Sequence, residues 1–147
     1  MAQASDGVYR FDDHMGFLAI RDPSPESPVV VSTGYSLPPV WQIKNEDDGT
    51  LTIWSTFQGL RMYLSYTGGP RVATPLISGA QPTRWELRPG FDEYHVVIAV
   101  PARLLAPEDK DGLAVDLGRA RSYPAETALM RLDPEKDVQN WRLQRLS

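Results

Sequence analysis

Side chains that commonly carry chemistry are sparse in this chain of 147 residues. Cysteine is absent, which excludes thiolate metal sites, redox pairs and a cysteine nucleophile. The two histidines, His14 and His95, stand far apart and no spaced carboxylate motif accompanies them, so no zinc site is expected. Gly68-Gly69-Pro70 reads as a turn, because a phosphate-cradling loop needs a wider glycine spacing and a lysine. Glu108-Asp109-Lys110-Asp111-Gly112 lacks the alternating ligands and closing glutamate of a calcium loop and reads as a solvated turn. No nucleophile elbow marks a serine. The sequence therefore predicts no catalytic residue, no metal and no cofactor. Twelve of the fifteen basic residues are arginines, yet the net charge is −4, so a broad nucleic-acid-binding surface is not expected either.

The elements that position these side chains are short strands. Thirteen prolines and eleven glycines argue against long helices, although Asp133-Pro134 fits the start of one helical turn. Three tryptophans lie in matching alternating segments, Val40-Trp41-Gln42-Ile43, Arg84-Trp85-Glu86-Leu87 and Asn140-Trp141-Arg142-Leu143. Each is preceded at a distance by another such segment, with Tyr9, Leu51 and Tyr94 aligned. Between them lie a second element (Leu18-Ala19-Ile20, Leu64-Ser65-Tyr66, Val115-Asp116-Leu117) and a third (Ser27-Pro28-Val29, Thr74-Pro75-Leu76, Thr127-Ala128-Leu129). Turn residues, Asp47-Asp48-Gly49 and Pro89-Gly90, fall at the two junctions. The pattern predicts an all-β protein, a β-trefoil of three four-strand repeats (about 7–48, 49–90 and 91–147) in one domain spanning 1–147. In that fold a six-stranded barrel is capped by three hairpins. The three tryptophans are expected inside it. Trp54, of opposite parity to Ile53, is expected to face outward or lie under a loop, and Phe57, Tyr66 and Tyr123 to form a surface cluster. The third repeat carries about a dozen extra residues, mostly 101–111, as its longest loop. No apolar run is long enough to cross a membrane and no signal sequence is evident, so a cytoplasmic protein without membrane insertion is expected.

Two families of trefoil proteins resemble this chain. Asp6-Gly7-Val8-Tyr9-Arg10, the passage from Trp41 through the acidic turn to Ile53, and Asn140-Trp141-Arg142-Leu143 are similar to the mycocypin and mycospin protease inhibitors of mushrooms. The resemblance implies a rigid surface loop presented to a serine or cysteine protease, a trypsin-like one first. Such a loop needs extended backbone, stiffness and, for a trypsin-like target, an exposed basic side chain. Arg103, framed by Pro101 and Pro107 and followed by Leu104, is the first candidate, with Arg71 after Pro70 and Arg121 before Pro124 as the others. For a cysteine protease the corresponding segments are 12–16 and 33–39.

The chain also resembles the ricin-B-type lectins, whose sugar sites combine an acid after the second strand, an aromatic on the third and Gln-x-Trp at the fourth. Gln139-Asn140-Trp141 keeps that motif, and Asp116 supplies the acid, which makes Asp116 and Gln139 the candidate sugar contacts. The other tryptophans have Pro39 and Thr83 at that offset. The first repeat has Asp22 but only valines at 29–31, and the second has Ser65 and no acid. The expected function is protease inhibition. The alternative is a glycan-binding lectin with at most one degenerate site, in the third repeat.

Overall fold

The computed structural model describes residues 4–34, 36–117 and 125–146. Most of the alternating segments become strand, with β7 and β9 starting one to three residues later than the pattern places them. The first repeat holds β1 (Gly7–Asp13), β2 (Gly16–Ile20), β3 (Val29–Ser32) and β4 (Trp41–Asn45). The second holds β5 (Leu51–Phe57), β6 (Leu60–Ser65), β7 (Ile77–Gly79) and β8 (Glu86–Pro89). The third holds β9 (His95–Ala99), β10 (Leu113–Asp116), β11 (Ala125–Glu126), β12 (Ala128–Arg131) and β13 (Trp141–Arg145). Its third element is split at Thr127, whose N–H and hydroxyl both turn aside to the Val29 carbonyl (3.0 and 2.7 Å).

The tryptophans occupy threefold-equivalent places. Trp41, Trp85 and Trp141 are fully buried. Each indole N–H donates to a carbonyl of the second strand of its own repeat: Leu18 (2.9 Å), Leu64 (2.9 Å) and Val115 (3.3 Å). Each also faces the first strand of a repeat, in the pairs Tyr9–Trp41, Leu51–Trp85 and Val96–Trp141. The last pair corrects the alignment of Tyr94, which is 66% exposed. Asp92 Oδ1 accepts the Tyr94 N–H at 2.8 Å, and this turn takes up two residues before the strand begins.

The expected closed six-stranded barrel is not what forms. Among the described residues thirteen strands make one sheet whose path, β12-β10-β9-β13-β1-β4-β5-β6-β7, does not return on itself, and β8 forms its ladder with β9. Closure would need a ladder between β5 and β8. One isolated bridge stands there, Leu51–Trp85, with backbone bonds of 2.9 and 2.8 Å. On one side of it the partner strand ends in the turn at Gly49, whose φ is 85°. On the other side residues 81–84 lead into β8 without forming strand. The pairing is trefoil-like, but the sheet stays open.

At one end the third elements of the repeats meet. Val29 N–H donates to Leu76 (3.0 Å), Leu76 N–H to Thr127 (3.1 Å), and Thr127 N–H to Val29 (3.0 Å). Each repeat supplies one donor and one acceptor to this ring.

Trp54 is buried under Arg61, whose guanidinium lies 4.3 Å from the indole centre, beside Tyr63 at 5.8 Å. Phe57 packs at the edge of the core. The extra segment of the third repeat is ordered as two 3-10 turns, Ala102–Leu104 and Pro107–Asp109. Asp133 accepts the Glu135 N–H on its side chain (3.1 Å), which makes a single turn rather than a helix.

Candidate functional site

The hydrogen bonds of the three indoles define equivalent positions in the repeats. The residue after each accepting carbonyl is Ala19, Ser65 or Asp116. The residue two before each tryptophan is Pro39, Thr83 or Gln139. The first pair is apolar, the second a pair of hydroxyls, and the third a carboxylate with an amide.

In the third repeat the pair is buried. Gln139 is fully enclosed and all its polar atoms are engaged: Nε2 donates to Asp116 Oδ2 (3.1 Å) and to the Arg131 carbonyl (2.7 Å), and Oε1 accepts the Asp133 N–H (2.9 Å). The Asp116 side chain is 2% exposed, and Lys136 Nζ closes over it at 2.9 Å. The structure thus brings the two predicted sugar contacts together, as a brace between β10 and the loop before β13, with Lys136 as its outer layer.

The second repeat is open at the same place. Ser65 Oγ and Thr83 Oγ1 lie 2.6 Å apart at the inner end of a cleft of about 450 Å³. That volume is within the range of small-molecule sites. Tyr66 lines it, its ring packed edge-on against Trp85 with centres 5.7 Å apart. Burial pushes the Tyr66 hydroxyl above the usual phenol range. Gln81 stands at the rim, and Gly79 lies against the Ser65 side chain. A Cβ at Gly79 would come within 2.8 Å of Ser65 Cβ, so glycine is what lets β7 approach β6. Glu26, from the loop after β2, completes the wall. Its φ of 61° is left-handed, a conformation costing about 1–2 kcal/mol in a residue with a Cβ.

Sequence reasoning missed this cleft. Ser65 and Thr83 carry no motif, and Glu26 reaches the site from another repeat. The Tyr66 signal was present, since the tyrosine was singled out as a surface aromatic.

The arginine candidates sit elsewhere. Arg103 lies in the first 3-10 turn, not in extended backbone, and its guanidinium is bound to Asp48 at 2.6 Å. The Thr50 hydroxyl first, and Arg103 second, hold the Asp48 carboxyl well below the usual carboxylate range. Leu104 is half-exposed beside it. Arg71 is exposed, with Glu108 3.6 Å away, and its N–H donates to Thr74 Oγ1 (3.2 Å). Arg121 and Tyr123 lie outside the described residues.

His14 and His95, distant in sequence, border one smaller cleft of about 230 Å³ with Asp13, Phe91, Asp137 and Asn140. His95 Nδ1 is 2.7 Å from Asp92 Oδ1, which lowers the Asp92 carboxyl, while burial raises that of Asp13. Among the described residues no group of three or more His, Cys, Asp or Glu is arranged to hold a metal ion.

No family model and no curated protein matches the chain. Solved structures do. A ricin B-like lectin of Macrolepiota procera, solved in complex with lactose, is 18% identical with a TM-score of 0.76, covering 99% of this chain and 100% of its own. The Rhizoctonia solani agglutinin is 10% identical with a TM-score of 0.77, covering 99% of both chains. A designed threefold-symmetric protein is 16% identical with a TM-score of 0.76, covering 96% of this chain and all of its own. At these identities the likeness is one of fold: the chain has the trefoil-type fold of ricin B-like lectins.

Proposed function

We propose that this chain is a carbohydrate-binding protein of lectin type whose sugar site is the cleft between β6 and β7 in the second repeat. The observation that carries the reading is the cleft itself. Its lining residues include an aromatic, Tyr66, together with Ser65, Thr83, Gln81 and Glu26. A sugar needs that combination, an apolar face for its C–H surface and mixed donors and acceptors for its hydroxyls. Among the described residues the Tyr66 hydroxyl, the Gln81 amide and the Glu26 carboxylate make no hydrogen bond within the protein, so their capacity is open to a ligand. The fold shared with a lectin solved with lactose supports the reading. In the third repeat Lys136 is paired with Asp116 at the equivalent position, so the second-repeat cleft is the more open of the two.

The test is a glycan array followed by titration of the best binder, monitored by amide chemical shifts. Binding is expected to move the signals of Ser65, Tyr66, Gly79 and Gln81. Tyr66→Ala is expected to weaken it at least tenfold. A blank array would refute the reading. If the protein then inhibited a trypsin-like protease, and Arg71→Ala or Arg103→Ala abolished the effect, protease inhibition would take its place.

A further inference from the structure

The second-repeat cleft has no acidic residue of its own: Ser65 stands where the third repeat has Asp116. Its charge comes from the neighbouring repeat. The 24–27 segment is fixed against β7 through Ser78, which is fully buried. Glu26 N–H donates to the Ser78 carbonyl (2.8 Å) and Ser78 N–H to the Ser27 carbonyl (2.8 Å). Ser27 N–H donates to Ser78 Oγ (3.0 Å), whose own proton goes to the Ser24 carbonyl (2.6 Å). Glu26 thus holds a left-handed backbone while its N–H is bound to Ser78. Strained backbone held in place by surrounding bonds clusters at ligand-contacting sites.

We infer that Glu26 is the selecting carboxylate of this cleft: it accepts hydrogen bonds from hydroxyls of a neutral sugar and rejects sugars that carry an acid group. The inference rests on the carbohydrate reading above and adds its specificity. An ionised carboxylate is an acceptor only, which suits a pair of hydroxyl donors, and such charge-assisted bonds are the stronger kind. Among the described residues no Lys, Arg or His lines the cleft. Among the described lining residues a sugar carboxylate meets one like charge and no cation, and repulsion of this kind is an efficient source of discrimination. The third-repeat pair differs in both respects, since its carboxylate is buried and neutralised by Lys136.

The experiment compares methyl β-D-galactopyranoside and methyl β-D-glucopyranoside with their 6-carboxylate counterparts, by calorimetry and amide shifts, on the parent and on Glu26→Gln. The variant keeps side-chain size and backbone, and an unchanged amide spectrum verifies its fold. The parent is expected to bind at least one neutral glycoside ten times more tightly than its acidic partner. Glu26→Gln is expected to weaken the neutral sugar at least fivefold and to bring the ratio within about threefold, in line with loss of a charged hydrogen bond. An unchanged ratio in Glu26→Gln overturns the inference, as does failure of both neutral glycosides to bind. Shifts centred on Lys136 and Gln139 overturn it too, yet leave carbohydrate binding standing in the third repeat. A blank glycan array removes the carbohydrate reading itself.

Discussion

Replacing Trp85 by alanine removes the side chain on which both the sheet seam and the cleft depend. The indole is fully buried, and a tryptophan of this kind withdraws roughly 200 Å² from water, worth about 5 kcal/mol at 25 cal/mol per Å². Measured large-to-small core changes fall at about 3–5 kcal/mol because the surroundings relax in part. The Leu64 carbonyl also loses its 2.9 Å donor, which adds about 1 kcal/mol or more where water cannot replace it. A loss of about 4–5 kcal/mol is expected, close to the whole stability of a marginal domain. Urea unfolding followed by circular dichroism measures it. In a thermal scan the midpoint should fall by about 10–15 °C for a chain of this size. Trp85→Phe separates the two contributions, since it keeps an aromatic ring and deletes the N–H; about 1.5–3 kcal/mol is expected. Trp41→Phe should match it, and Trp141→Phe should lose somewhat less, because that indole bond is longer at 3.3 Å. A loss under about 1 kcal/mol in Trp85→Ala would refute the claim that this indole fills the core.

Gly79→Ala places a methyl within 2.8 Å of Ser65 Cβ, so it should destabilise by about 1–3 kcal/mol, as overpacking does, and push the Ser65–Thr83 pair apart; a neutral result in urea unfolding would mean that β7 moves freely from β6. Ser78→Ala leaves the buried Ser27 N–H without its acceptor and should cost about 1–3 kcal/mol; the amide of Glu26 should then exchange faster with solvent, and unchanged exchange would argue against Ser78 as the anchor. Asp48 has its carboxyl lowered by Thr50 first and Arg103 second. Its folded-state contribution is therefore fully present above the ordinary carboxylate range and is lost only as pH falls through the lowered value. Carboxyl carbon shifts should show Thr50→Val raising the Asp48 titration more than Arg103→Ala does, and the reverse order would contradict the assigned causes.

The threefold frame was legible because it depends on residues whose burial has no substitute. An indole can be placed from parity and spacing, and all three tryptophans lie where those rules put them. Tyr94 misled because a turn held by Asp92 lengthens the approach to β9 without altering alternation. Closure of the sheet was not legible either. It hinges on how far pairing extends from Leu51–Trp85, and the turn at the left-handed Gly49 sets that limit on one side only once the two strands are opposed. At the site, the sequence marks Asp116 and Gln139 as joint candidate sugar contacts, and they are bonded at 3.1 Å. That Lys136 would roof them depends on the path of the 133–139 loop, which spacing does not encode. The cleft of the second repeat was hidden for a different reason. Its wall is assembled from Glu26 and Ser78, and no local pattern joins residues so distant in the chain.

The ring of bonds through Val29, Leu76 and Thr127 makes each repeat a debtor to the next. A fragment of two repeats keeps one of the three bonds and strands a donor on one member and an acceptor on the other, in a place the core shields from water. Each orphan would cost about 1–3 kcal/mol, more than a two-repeat fragment with a truncated core can spare. Intermediates with one repeat detached should therefore be unpopulated, and unfolding should follow a single transition whichever repeat is weakened. The same ring is indifferent to where the chain begins. New termini cut into an exposed turn such as 47–49, with the old ones joined by a flexible linker, would leave all three bonds in place, so a permuted chain should recover the same cleft.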